Sequence, residues 1–110
     1  MACECREGVP ADSWLDRILR SAASPEEILT RLATPGFRQP EQWQAQIQAL
    51  IQRKARVLLY SSLPESTVRA AHLTPCGDIS SAVLELLGQH ANGVRMAVLP
   101  QGPLTIPYLG

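Results

Sequence analysis

Few residues of this 110-residue chain have both the type and the spacing to do chemistry. Cys3, Cys5, Cys76, His72 and His90 are donors a transition metal would accept. No C-x-x-C or H-x-x-x-H spacing joins them, so no metal site is expected from the chain's own residues. Cys3 and Cys5 read as alternate positions of an extended segment, about 7 Å apart and too far to bridge. Ser61 and Ser62 follow a predicted strand, but no G-x-S-x-G elbow surrounds them and no acid or histidine is tied to them by spacing. Neither G-x-G-x-x-G nor G-x-x-x-x-G-K-[ST] occurs, and the lone lysine, Lys54, reads as a solvated helix end. No catalytic residue is expected within the chain. The remaining candidate is Trp43, which could line a pocket for a ligand.

Trp43 draws its interest from the element that carries it. Pro40 fits the first position of a helix in which Trp43, Ile47, Leu50 and Ile51 recur on one face, with glutamines opposite. At Arg56 the period changes to the continuous apolar run Val57-Leu58-Leu59-Tyr60, as in a strand buried on both sides of a parallel sheet. A helix feeding a parallel strand runs antiparallel to it, so its first turns lie toward the sheet's carboxyl edge, where open α/β sheets bind ligands. Trp43 stands in those first turns, on a face that also reads as core.

The other elements follow the same signals. Met1–Cys5 reads as a short strand already under way at the first residue. A helix is predicted from about Ala11 to Ala22, with Trp14, Leu15, Ile18, Leu19 and Ala22 as its core stripe. Ser24 caps the next helix, with Pro25 at its first position and Glu27 completing a capping box. Leu63-Pro64-Glu65 opens a short helix to about Ala71, and Thr74-Pro75-Cys76-Gly77 reads as an interruption. Asp78 caps a helix ending at Asn92-Gly93, Val94–Leu99 is the predicted third strand, and Leu104–Gly110 is an irregular apolar tail. The expected fold is a three-layer α/β arrangement, a short parallel sheet of about three strands with helical crossovers, in a single partial domain over 1–110.

Composition narrows the partners. Ten basic and ten acidic side chains and a pI near 6.7 give no footprint for nucleic acid or an anionic membrane. The cluster Arg53, Lys54, Arg56 falls in a helix's last turn, where cations interact favourably with the dipole. No apolar run reaches the roughly 20 residues of a membrane span, and three cysteines outline no disulfide framework. The expected location is the cytoplasm.

Ala2-Cys3-Glu4-Cys5-Arg6-Glu7-Gly8, the Pro-x-x-Trp-x-x-Gln-Ile helix from Pro40 to Ile47, Ala55-Arg56-Val57-Leu58-Leu59 with Ser62-Leu63-Pro64, and Val98-Leu99-Pro100-Gln101-Gly102-Pro103 together resemble the C-terminal end of nickel-pincer lactate racemases. The resemblance implies racemisation of a 2-hydroxy acid through hydride transfer to and from a nickel-pincer nucleotide, in a cleft between two α/β domains. It also implies that Trp43 matches a family Trp projecting into that cleft. The family's N-terminal domain supplies the cofactor-tethering lysine, the nickel-ligand histidine and the acid/base histidines, and none of it is in this sequence. Nor is the Tyr-Gln followed by Lys that precedes the first strand in the family. The chain therefore reads as a fragment that contributes a cleft wall, binds no cofactor alone and is inactive alone. Its expected partner is an N-terminal racemase domain or a second copy. The alternative is a non-enzymatic α/β interaction module that retains the fold.

Overall fold

The computed structural model describes residues 1–10, 12–90 and 93–102, in two compact units, 1–79 and 80–110. In the first, α1 (Trp14–Arg20), α2 (Pro25–Leu32) and α3 (Gln42–Gln52) precede strand β1 (Leu58–Leu59). Helix α4 (Glu65–Ala70) then crosses over to strand β2 (Thr74–Pro75).

The sheet is parallel and centred on β1. Leu58 pairs with Thr74 and Leu59 with Pro75, while Ala2 forms a parallel bridge to Tyr60 on the opposite side. Main-chain bonds alternate accordingly. Thr74 N donates to Val57 O (3.0 Å) and Cys76 N to Leu59 O (2.9 Å), whereas Tyr60 N donates to Met1 O (2.9 Å) and Cys3 N to Tyr60 O (3.0 Å). Pro75 is tolerated because the N–H it lacks would point away from β1, along the open edge.

This corrects two predicted features. Thr74-Pro75 is a strand, and Val94–Leu99 is not. Both flanks of β1 are already paired, so an apolar run later in the chain could join only at an outer edge. Among the described residues it does not, and Val98 is 74% exposed. The α/β class holds with two named strands and one bridge, fewer than the three strands predicted.

The core is helical. Ile18, Leu19 and Ala22 around α1, Ile28 of α2, and Ala45 and Ala49 of α3 form one buried cluster, with Leu15, Leu29, Leu32 and Phe37 packed against it. Leu59 and Val68 are buried beside the sheet. Trp14, predicted in the core stripe of α1, is 40% exposed and lies under the Arg17 guanidinium, 5.4 Å from the ring centroid.

Local chemistry sets the helix starts. Ser13 Oγ accepts from Asp16 N (3.1 Å) and Ser24 Oγ from Glu27 N (3.2 Å), each satisfying one of the donors a helix leaves open. The Glu27 carboxylate accepts from Ala23 N (2.7 Å) and is paired with Arg31, so the predicted capping box reaches back one residue further than Ser24. Those two contacts, the Ala23 N–H first, hold the Glu27 carboxyl below its ordinary pKa of 4.5. A depressed carboxyl contributes stability above its unfolded pKa and loses it as pH falls through the folded value. Glu27→Gln should therefore flatten the acid limb of a stability-versus-pH curve below about pH 4.5 relative to wild type. Superimposable acid limbs would contradict it.

Helix α3 does not start at Pro40 as predicted. Gln39 and Pro40 form a turn, and Glu41 takes the cap position in a left-handed conformation (φ 61°), with its Oε2 accepting from Leu15 N of α1 (2.9 Å).

In the second unit, α5 runs from Ile79 to Gln89, starting on the last residue of the first unit, and buries no residue. The chain leaves it through Gly93 at φ 101°, where a side chain would be strained. Ala11 and Asn92, Pro103 and the tail Leu104–Gly110 lie outside the described residues. Among the described residues no helix is long and apolar enough to cross a membrane.

Candidate functional site

The orientation of α3 decides what this chain can present. Its sequence offers three faces, and the structure buries the one made of Ala45 and Ala49, both 0% exposed. The bulky stripe predicted as core lies outside: Trp43 is 60% exposed, Ile47 and Ile51 each 51%, and Leu50 43%. The physical reason is close approach. Alanines let the α3 backbone come near α1 and α2, whose Ile18, Leu19 and Ile28 supply the volume.

The glutamine face, opposite the apolar stripe in the sequence, is structural. Gln48 Nε2 donates to Ala71 O (2.8 Å), and Gln52 Nε2 to Ala71 O (3.0 Å) and His72 O (2.9 Å). They fix the turn between α4 and β2, where His72 is left-handed at φ 57°. His72 Nε2 bonds Leu19 O at 3.0 Å, and because a carbonyl only accepts, this nitrogen carries the proton. No periodicity rule singles out Gln48, Gln52 or His72. The only signal was five glutamines on one helix, Gln42, Gln44, Gln46, Gln48 and Gln52.

Two concavities bear on a ligand or partner. The first is a strongly apolar groove of about 390 Å3 along α3, with Trp43, Ile47 and Ile51 on one wall and Met1 and Val57 on the other. The second, about 600 Å3, opens at the carboxyl edge of the sheet between Cys3, Tyr60, Ser61 and Cys76. Trp43 lines the first and not the second. Ser62 Oγ donates to Glu4 O and so ties two strand ends together, whereas Ser61 Oγ accepts from Leu63 N (3.3 Å) within its own loop.

The cysteines gather at that carboxyl edge. Cys5 is left-handed (φ 51°), so the extended geometry assumed for the Cys3–Cys5 pair ends there, and all three cysteines are free. Hydrogen bonding with the Cys3 thiol, and then partial burial, raise the Cys5 thiol's pKa, which keeps it protonated and a poor nucleophile. Among the described residues no group of three or more His, Cys, Asp or Glu side chains is placed to hold a metal ion.

A parallel sheet around a central β1, a helical core and an outward apolar face on α3 define this α/β domain. The chain belongs to the lactate racemase C-terminal domain family, whose model matches residues 1–106. Its fold is similar to that of the lactate racemase apoprotein from Thermoanaerobacterium thermosaccharolyticum, with a TM-score of 0.70 and 24% identity over 83% of this chain. The chain spans 22% of that protein's length. No curated protein matches it.

Proposed function

We propose that this chain forms one wall of the substrate and cofactor cleft of a lactate racemase-like 2-hydroxyacid racemase, and that alone it is inactive. The observation that carries the reading is the exposed apolar face of α3, with Trp43 at its first turn. A monomer that left Trp43, Ile47, Leu50 and Ile51 in water would keep a continuous apolar surface of the kind that marks an interface. The order in which α3 feeds the parallel strand β1 supports assigning Trp43, in the helix's first turns, to the cleft, since such turns lie toward a sheet's carboxyl edge.

The reaction's acid, base and nickel ligands would come from a companion N-terminal domain, the proposed partner. In its absence the same face favours self-association. The reading places the chain in the cytoplasm, where unpaired thiols persist, with neither nucleic acid nor membrane as partner.

The test uses the purified chain. After dialysis against a chelator it should retain no stoichiometric nickel and should not interconvert the lactate enantiomers. At about 100 μM it should sediment as more than a monomer. Retained nickel with racemisation would refute the inactivity. A clean monomer that binds no companion domain would favour a stand-alone module instead.

A further inference from the structure

The Cys3 and Cys5 thiols hydrogen-bond to each other, although a fully extended strand would hold the two residues about 7 Å apart. The backbone explains the contact. Cys3 is anchored in the sheet by its N–H to Tyr60 O (3.0 Å), and Glu4 O accepts from Ser62 N (3.4 Å), so the strand persists to Glu4. Cys5 then turns left-handed at φ 51°, and its carbonyl closes a tight turn by accepting from Gly8 N (2.9 Å). That turn redirects the Cys5 side chain toward Cys3.

The pair is reachable from solvent. Cys3 is exposed and lines the pocket of about 600 Å3 at the sheet's carboxyl edge, and neither cysteine lines the α3 groove. Cys76 lines the same pocket as Cys3, but its thiol donates to Asp78 O at 3.4 Å. No third ligand completes a larger set, since among the described residues no group of three His, Cys, Asp or Glu side chains is placed to hold a metal ion. The site offers two sulfurs.

Donor number and softness select the ion. Thiolates favour Cu(I), zinc and iron–sulfur clusters. Structural zinc and the iron–sulfur clusters take four protein ligands, which this pair cannot supply, whereas Cu(I) is satisfied by two sulfurs on opposite sides. Distance favours the same choice over a disulfide. Metal–thiolate bonds of about 2.3 Å on opposite sides of one ion put the sulfurs roughly 4.6 Å apart, close to the separation of two hydrogen-bonded thiols, whereas a disulfide needs them at about 2 Å. We propose that Cys3 and Cys5 form a two-coordinate site for Cu(I). Both thiols lose their protons on coordination, so one Cu(I) replaces two protons and leaves a bis-thiolate complex of single negative charge. Sheet and turn pre-position the two sulfurs, so the folded chain binds the ion more tightly than the unfolded one.

The experiment is an anaerobic titration of the reduced full chain with Cu(I), supplied as its acetonitrile complex, in competition with the chromogenic chelator bathocuproine disulfonate. Wild type should take up one equivalent, and X-ray absorption of the loaded chain should show two sulfur neighbours. Cys3→Ser and Cys5→Ser should each weaken retention at least a hundredfold, whereas Cys76→Ser should match wild type. Should Cys5→Ser fail to fold, Cys3→Ser, at an exposed position, carries the same expectation. One equivalent of Cu(I) should also raise the thermal midpoint of wild type and leave that of Cys3→Ser unchanged. The proposal fails if wild type yields Cu(I) to the chelator as readily as Cys3→Ser does, or if Cys76→Ser weakens retention as much. It also fails if a third sulfur is bound, or if Cu(I) does not raise the midpoint of wild type.

Discussion

Replacing Ile28 by alanine should destabilise this chain by about 4 kcal/mol, the largest effect expected of any single truncation. Ile28 has no exposed surface and stands where α2 meets α1 and α3, packed among Ile18, Leu19, Ala45 and Ala49. Removing three carbons there forfeits their transfer free energy and leaves a cavity that the surrounding helices close only in part. Domains of this size are stable by roughly 5–15 kcal/mol, so the variant should lose between about a quarter and four-fifths of that stability. The measurement is the urea midpoint at unchanged slope. A shift worth under about 1 kcal/mol would mean that Ile28 is not enclosed as described.

The second large effect has the opposite sense of volume. Ala49→Leu should cost about 3 kcal/mol, because α3 approaches α1 and α2 through a face that carries only Cβ atoms, at 0% exposure for both Ala45 and Ala49. Larger side chains there must push the helices apart and loosen the core around Ile18 and Leu19. On the same helix, Ile47→Gln should cost less than about 1 kcal/mol, since half of Ile47 is already in water. Chemical denaturation of the two variants checks the contrast. The reverse order, with Ile47→Gln the costlier, would restore the bulky stripe to the core.

That contrast also shows where sequence reasoning succeeded and where it failed. Helix existence was legible because it rests on local chemistry: Ser24 and Pro25 start α2 whatever packs on it, and the apolar run at Val57–Tyr60 announces a covered strand. Which face of α3 turns inward was not legible. Periodicity weighs faces by hydrophobicity, so it chose Trp43, Ile47, Leu50 and Ile51, whereas helix packing also rewards small residues whose neighbours carry the bulk. The run Val94–Leu99 has every intrinsic feature of a strand. What it lacks is a free flank on β1, and that depends on where Met1–Cys3 and Thr74–Cys76 go. Thr74-Pro75 was passed over for the complementary reason, because a proline in a strand is acceptable only once the strand is known to lie at an edge.

The site was legible only in part. Trp43 was singled out from its position in a helix that enters a parallel strand, and the structure puts it on an exposed apolar groove. Gln48, Gln52 and His72, which hold the α4–β2 turn, were invisible because their partners are main-chain carbonyls 19 or more residues away along the chain. The cations Arg53, Lys54 and Arg56 were visible as a cluster, but the pocket of about 380 Å3 that they line was not, because it needs Pro25, His72 and Thr74 from other elements.

The claim on which the functional reading turns is that the bulky face of α3 looks outward from this domain. Acrylamide quenching of Trp43 fluorescence tests it most directly, in a Trp14→Phe background and at a dilution where sedimentation reads a monomer. With 60% of the residue exposed, the account predicts red-shifted emission and quenching close to that of a free indole, more efficient than Trp14 gives in the Trp43→Phe counterpart, where 40% is exposed. A blue-shifted Trp43 quenched less than Trp14 would put the stripe in the core and leave this chain without a wall to offer a cleft.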